Sequence, residues 1–290
     1  MRGWLVLCST IGVSAATLPH AQQRRGEPPK PAVETRPSAY STAVIDPSSE
    51  RLGIRYGGND LRAVFESLSK RGSAKKGEFE TTAAFEARTK EDAARPLSGS
   101  LTNDSLYAFR VIARGSEFSG FFARYDADKG EMLVRVTFDP MHDKVIGLGT
   151  TQGALGADSL RVELPKDSYE ATNAFGARVR VDAEYWSHDA VSVRNIAEFV
   201  KDPQSMIAHV EQRLPMPVEQ AQQIKPNLQA LLIGHLSPPY VTSGMSTVEP
   251  TFNNPHAELS VFRYVHLSVD QIVFYNMATG DVLARVRPQK

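Results

Sequence analysis

The sequence predicts an α+β fold, mainly antiparallel sheet with a few short helices, two of them near the N-terminus of the ordered part. Helical periodicity is gathered early, between residues 59 and 94, and period-two alternation governs most of the chain after Pro96. Turn-forming residues separate the alternating runs, without regularly interspersed helices. That spacing favours hairpins over the strand-helix-strand units of a doubly wound sheet.

The chain opens with Met1-Arg2 and an uncharged, mostly apolar stretch from Gly3 to Ala16, the layout of a secretory signal peptide. The small residues around Ser14-Ala15-Ala16 place the cleavage site between Ala15 and Ala21. The apolar stretch falls short of the about 20 residues a spanning helix needs, so no stable membrane insertion is expected. Gln22 to Ser49 is rich in proline and arginine, with almost no apolar periodicity, and reads as a flexible leader. The expected organisation is a signal peptide over 1–21, a leader over 22–50, an α+β domain over 51–201, and a second α+β domain or a continuation of the first over 202–290.

Leu61, Val64, Phe65 and Leu68 share one helical face. Asn59 is the expected cap, Asp60 faces the positive end of the helix dipole, and Lys70 and Arg71 precede Gly72 at the other end. A second helix begins near Thr81 or Thr82 and stops before Pro96, with Phe79 expected to fold back on Phe85 as a hydrophobic staple. Two alternating runs, Phe121 to Tyr125 and Met132 to Phe138, flank the polar tip Asp126 to Glu131 and predict a hairpin. Leu160 to Leu164 alternates as well, and the longest such run, Phe175 to Tyr185, predicts a strand with one face buried and one in water. A short helix from Val218 to Lys225 comes after Pro217, and Leu228 to Leu236 reads as an apolar strand. Proline-bearing loops then separate that strand from Leu259 to Val269, Gln271 to Asn276 and Val282 to Val286.

Chemistry is sparse in this pattern. Basic and acidic residues number 33 each, so nothing draws the chain to nucleic acid. Cys8, the one cysteine, leaves with the signal peptide, which closes the options of a disulfide, a thiolate zinc site and a cysteine nucleophile. Ser67-Leu68-Ser69-Lys70 matches the serine and lysine spacing of penicillin-recognising acyl enzymes, but its serine lies near the end of an amphipathic helix and the companion Ser-Asp-Asn and Lys-Thr-Gly are absent. Asp126-Ala127-Asp128 has a calcium-loop look, yet Thr137 stands where a bidentate glutamate is needed, so a polar hairpin tip is the better reading. No two of His142, His188, His209, His235, His256 and His266 stand at metal-ligand spacing. No catalytic residue, metal ligand or cofactor is assigned. At the end of the longest strand, Trp186 and His188 are the binding candidates, Trp186 because it shares the outward face with charged residues.

Lys76-Gly77-Glu78-Phe79-Glu80-Thr81-Thr82 with Phe85-Glu86-Ala87-Arg88, Asn173-Ala174-Phe175-Gly176, Ala221 to Tyr240 and Tyr275 to Leu283 together form a pattern. It resembles one recurring in uncharacterised exported proteins of proteobacteria. The resemblance implies a bacterial envelope location and carries no assigned activity. The expectation is a periplasmic, non-catalytic module that binds a small ligand or an envelope protein. The alternative is a periplasmic hydrolase whose site is assembled in space from residues such as His188, Asp189 and a distant serine.

Overall fold

The computed structural model describes residues 40–71, 76–113, 120–138, 155–172, 176–201 and 208–289. The signal peptide, most of the leader, His142 and the Asn173-Ala174-Phe175 segment lie outside the described residues. The α+β expectation holds: helices precede a body of mainly antiparallel sheet.

Helix α1, Leu61–Arg71, buries Leu61, Val64 and Leu68, as its spacing requires. Its cap is Asp60, whose Oδ1 accepts from the Ala63 amide at 3.0 Å. Asn59 does other work. It is buried, accepting from the Ala108 amide at 2.7 Å and donating to the Ser41 carbonyl at 2.8 Å. Helix α2, Thr82–Ala94, is capped by Thr81, whose hydroxyl accepts from the Ala84 amide. The expected staple does not form: Phe79 is 95% exposed. Glu80 organises this entry instead, accepting from the Gly77 amide and from Arg88, and α2 buries none of its residues.

The larger sheet contains β1, Leu106–Val111; β4, Leu155–Thr172; β5, Arg178–Val193; β7, Leu228–Val248; β8, His256–Asn276; and β9, Val282–Val286. The order is β1-β7-β8-β5-β4, with β9 beside the C-terminal part of β8. One pair is parallel: β5 and β8 run side by side from Asp182 and His256 to Val193 and Leu267. A second sheet of three strands holds the expected hairpin of β2, Gly120–Asp126, and β3, Glu131–Thr137, joined by β6, His209–Pro215. At the hairpin tip Lys129 pairs with Asp126, a closed polar turn. The short helix α3, Val218–Ile224, starts after Pro217 as expected. Both sheets draw strands from either side of residue 202.

Two strands run longer than their sequence suggests. β7 does not stop at Leu236 but passes through Ser237-Pro238-Pro239 to Val248, absorbing the prolines in a register shift between Leu236 and Val241. β8 joins the two runs expected on either side of Asp270, which forms a bulge opposite Ile233 and Gly234. β5 alternates as predicted through Ala183, but Ser187 to Val193 is buried on both faces.

The main core lies between one face of the large sheet, α1 and the three-stranded sheet, with Val64, Phe109, Phe121, Val134, Leu232 and Phe274 among its buried members. A smaller core of Ile45, Ala108, Leu231, Ile233, Val273 and Tyr275 forms on the opposite face. Residues 40–58 cover it. The expected leader is therefore tied down over its last part: the Ser41 amide donates to the Gly58 carbonyl, Leu52 bonds Gly280, and Gln271 donates to the Pro47 carbonyl.

Candidate functional site

The two binding candidates of β5 sit on one face of the strand, but neither is open. Trp186 is half-buried, and the Arg161 guanidinium of the neighbouring β4 lies 4.0 Å from its ring centroid. Its cover is thus a cation on the ring. His188 is buried and stacks on Phe262 of β8 with ring centroids 4.6 Å apart. Asp189, next along the strand, points to the other face. There Arg62 Nε donates to its Oδ2 at 2.7 Å and Arg263 Nη1 to its Oδ1 at 3.0 Å, while Arg263 also donates to Ser187 Oγ at 2.7 Å. His188 and Asp189 therefore form no acid–base pair. The carboxylate holds α1, β5 and β8 together instead.

The Ser67 hydroxyl donates to the Leu97 carbonyl at 2.8 Å, a structural bond that closes the loop after α2. His266 is fully buried, its Nε2 3.0 Å from Thr242 Oγ1 and its Nδ1 without a hydrogen-bond partner. Burial, with the nearby Arg194 charge, lowers its pKa to about 4, so it is neutral at physiological pH.

A different place brings several polar groups together. On the face covered by residues 40–58, an open cavity of about 270 Å³ is lined by Pro47, Ser48, Leu106, His235, Asp270, Gln271 and Arg287. The β8 bulge makes it. By inserting one residue opposite Ile233 and Gly234, it turns Asp270 outward beside Gln271. Asp270 Oδ2 then lies 3.4 Å from His235 Nε2, with both side chains about half exposed. Such a pair is worth about 0–1 kcal/mol and can be separated by a ligand at little cost.

Gln271 is the unusual member. It is 3% exposed, and its Nε2 donates to the Pro47 carbonyl at 2.8 Å, which fixes the orientation of the amide. Its Oε1 is buried without a hydrogen-bond partner. An orphaned buried acceptor costs about 1–3 kcal/mol. The Ser48 hydroxyl is engaged elsewhere, donating to Asp46 Oδ1 at 2.7 Å, and those Ser48 bonds hold the Asp46 carboxyl below its usual pKa. No serine–imidazole relay is formed here. The cavity offers a carboxylate, an imidazole and a guanidinium against the apolar walls of Leu106 and Pro47, an arrangement suited to holding a small polar molecule.

Sequence reasoning passes over this cavity because its members lie far apart in the chain, at residues 47–48, 106, 235, 270–271 and 287. One local signal is present: Asp270-Gln271 stands between Val269 and the apolar run Ile272 to Tyr275. Among the described residues no cluster of three or more histidine, cysteine or acidic side chains could hold a metal ion, and no helix is long and apolar enough to cross a membrane. No family model, curated protein or solved structure matches this chain.

Proposed function

We propose that the protein is exported to a bacterial periplasm and acts there as a non-catalytic binding module, taking a small polar ligand in the cavity beside the β8 bulge. The observation that carries this reading is the convergence of His235, Asp270 and Arg287 on one cavity walled by Leu106 and Pro47. A ligand bearing an N–H or O–H group donates to the Asp270 carboxylate, while Arg287 favours an acceptor or negative charge on it. Trp186, with Arg161 over its ring, becomes secondary to this site.

The support for export is the Met1-Arg2 start and the uncharged stretch after it. Mass spectrometry of the protein recovered from an envelope fraction should give a new N-terminus just after a residue between Ala15 and Ala21. A chain retained whole in the cytoplasm would sink the location. For the binding reading, a thermal-shift screen of small amines, amides and sugars should yield compounds that stabilise the natural chain and not an Asp270→Ala variant. Equal shifts in both would move the site elsewhere. Covalent labelling of a serine by a fluorophosphonate would replace the binding reading with the hydrolase one.

A further inference from the structure

We infer that the outer edge of β7, from Thr242 to Val248, pairs with the same edge of a second copy of this chain. β7 has two sides. One pairs with β8 along almost its whole length, while the other meets β1 only from Ala230 to His235. Beyond that point no described strand pairs with the outer side. An open strand edge is a row of unpaired N–H and C=O groups, and proteins that do not use such an edge blunt it with charge, proline or a cover.

Three other described edges, those of β1, β4 and β6, are blunted in those ways. β1 is bridged by Gly58 through Phe109. β4 carries Arg161, Glu163, Pro165, Lys166 and Asp167 along its length. β6 is short and alternates Glu211 with Arg213, each in an ion pair. The β7 edge differs from these three: Thr242-Ser243-Gly244-Met245-Ser246-Thr247-Val248 contains no charge and no proline. It also leaves Met245 64% and Val248 46% exposed.

Charge matching selects the occupant. An uncharged edge is met without burying an unpaired charge only by another uncharged strand, and β7 itself supplies one. Antiparallel pairing of β7 with its copy about a twofold axis places identical uncharged runs against each other and closes on itself. Pairing β7 with the charged β4 of a neighbour would be heterologous and open-ended, and would press the β4 charges against Met245 and Val248. The inference is independent of the ligand cavity, which lies on the other part of β7.

Sedimentation of the full chain over a concentration series should show a reversible monomer–dimer equilibrium. A chain that stays monomeric at every concentration overturns the inference, and so does growth of open-ended species larger than a dimer. The double substitution Met245→Lys with Thr247→Lys sets like charges across the twofold axis and should weaken the dimer by at least about tenfold. An unchanged dimer in a folded double variant would count against the edge. Hydrogen exchange on the unaltered protein guards against variants that fail to fold. The outward-facing amides between Thr242 and Val248 should exchange more slowly as concentration rises, and concentration-independent exchange there overturns the pairing.

Discussion

At the scale of single residues, the decisive groups are buried polar ones whose partners come from distant parts of the chain. Asp189 is fully buried between Arg62 of α1 and Arg263 of β8, at 2.7 and 3.0 Å. Replacing it with asparagine keeps the shape but leaves two guanidinium groups facing each other without a counter-charge. Removing one member of such a set costs about 3 kcal/mol, so Asp189→Asn should lower the urea midpoint by that equivalent, and removing Arg62 as well should recover part of the loss. His266 makes a pH prediction. Its pKa is 6.5 when unperturbed and about 4 in the fold, so between those values the unfolded chain binds the extra proton. Stability is therefore fully present above about pH 6.5 and falls as pH drops toward 4, by up to roughly 1.4 kcal/mol per pH unit from this group alone. Urea titrations of the natural chain and of His266→Leu should diverge in slope across that window. None of this is legible from sequence. Asp189 and His266 look like ordinary strand positions, and reading Trp186 as an outward residue does not anticipate Arg161 settling on its ring from a separate strand.

Elements are more legible than contacts, and the departures share a cause. The apolar face of α1, the β2–β3 hairpin and the early alternation of β5 all arise from local periodicity, which one strand or helix can express by itself. Phe79 and Asn59 depart from expectation because capping logic is local while their surroundings are not: Glu80 and Arg88 fix the entry to α2, and Asn59 is claimed by β1. Prolines at 238 and 239 signal a loop, yet β7 carries them through as an irregularity in a long strand whose outer side pairs with no described strand there. The bulge at Asp270 is the element on which the proposed ligand cavity depends, and it requires glycine opposite. A Cβ on Gly234 would lie 2.0 Å from the Ser268 carbonyl oxygen, with the backbone of Val269 close behind. Gly234→Ala must push the strands apart at the bulge. We expect a loss of about 2 kcal/mol or more in stability, together with loss of the ligand-induced thermal shift. A stable alanine variant that still binds would show that the bulge does not shape the site.

For the whole molecule, the unforeseen feature is that chain expected to be leader serves as part of the fold. Parallel pairing of β5 with β8 builds one large sheet from both halves of the sequence, and that sheet has an apolar face on each side. One is filled by α1 and the three-stranded sheet. The other, with Leu231, Ile233, Val273 and Tyr275, is covered by residues 40–58. Composition hides this role, because the proline-rich run before it sets the expectation, while the covering segment needs only a few apolar side chains, Ile45, Leu52 and Tyr56, against a face already formed. What holds it is a short set of polar ties, of which Asn59 is central: it joins Ser41 on the strap to the buried amide of Ala108 on β1. Gly58 beside it approaches so closely, with positive φ, that a Cβ would meet the Ala108 carbonyl oxygen at 2.4 Å. Asn59→Ala leaves the Ala108 amide buried and unpaired, at a cost of about 1–3 kcal/mol. Because Pro47 and Ser48 on the same strap wall the ligand cavity, loosening it should also open the site. The expected result is earlier proteolytic cleavage within residues 40–58 and weaker ligand stabilisation, with the main core still melting cooperatively. If Asn59→Ala instead leaves the strap as resistant to protease as in the natural chain, the segment is held by its apolar contacts, and the polar ties do not govern access to the cavity.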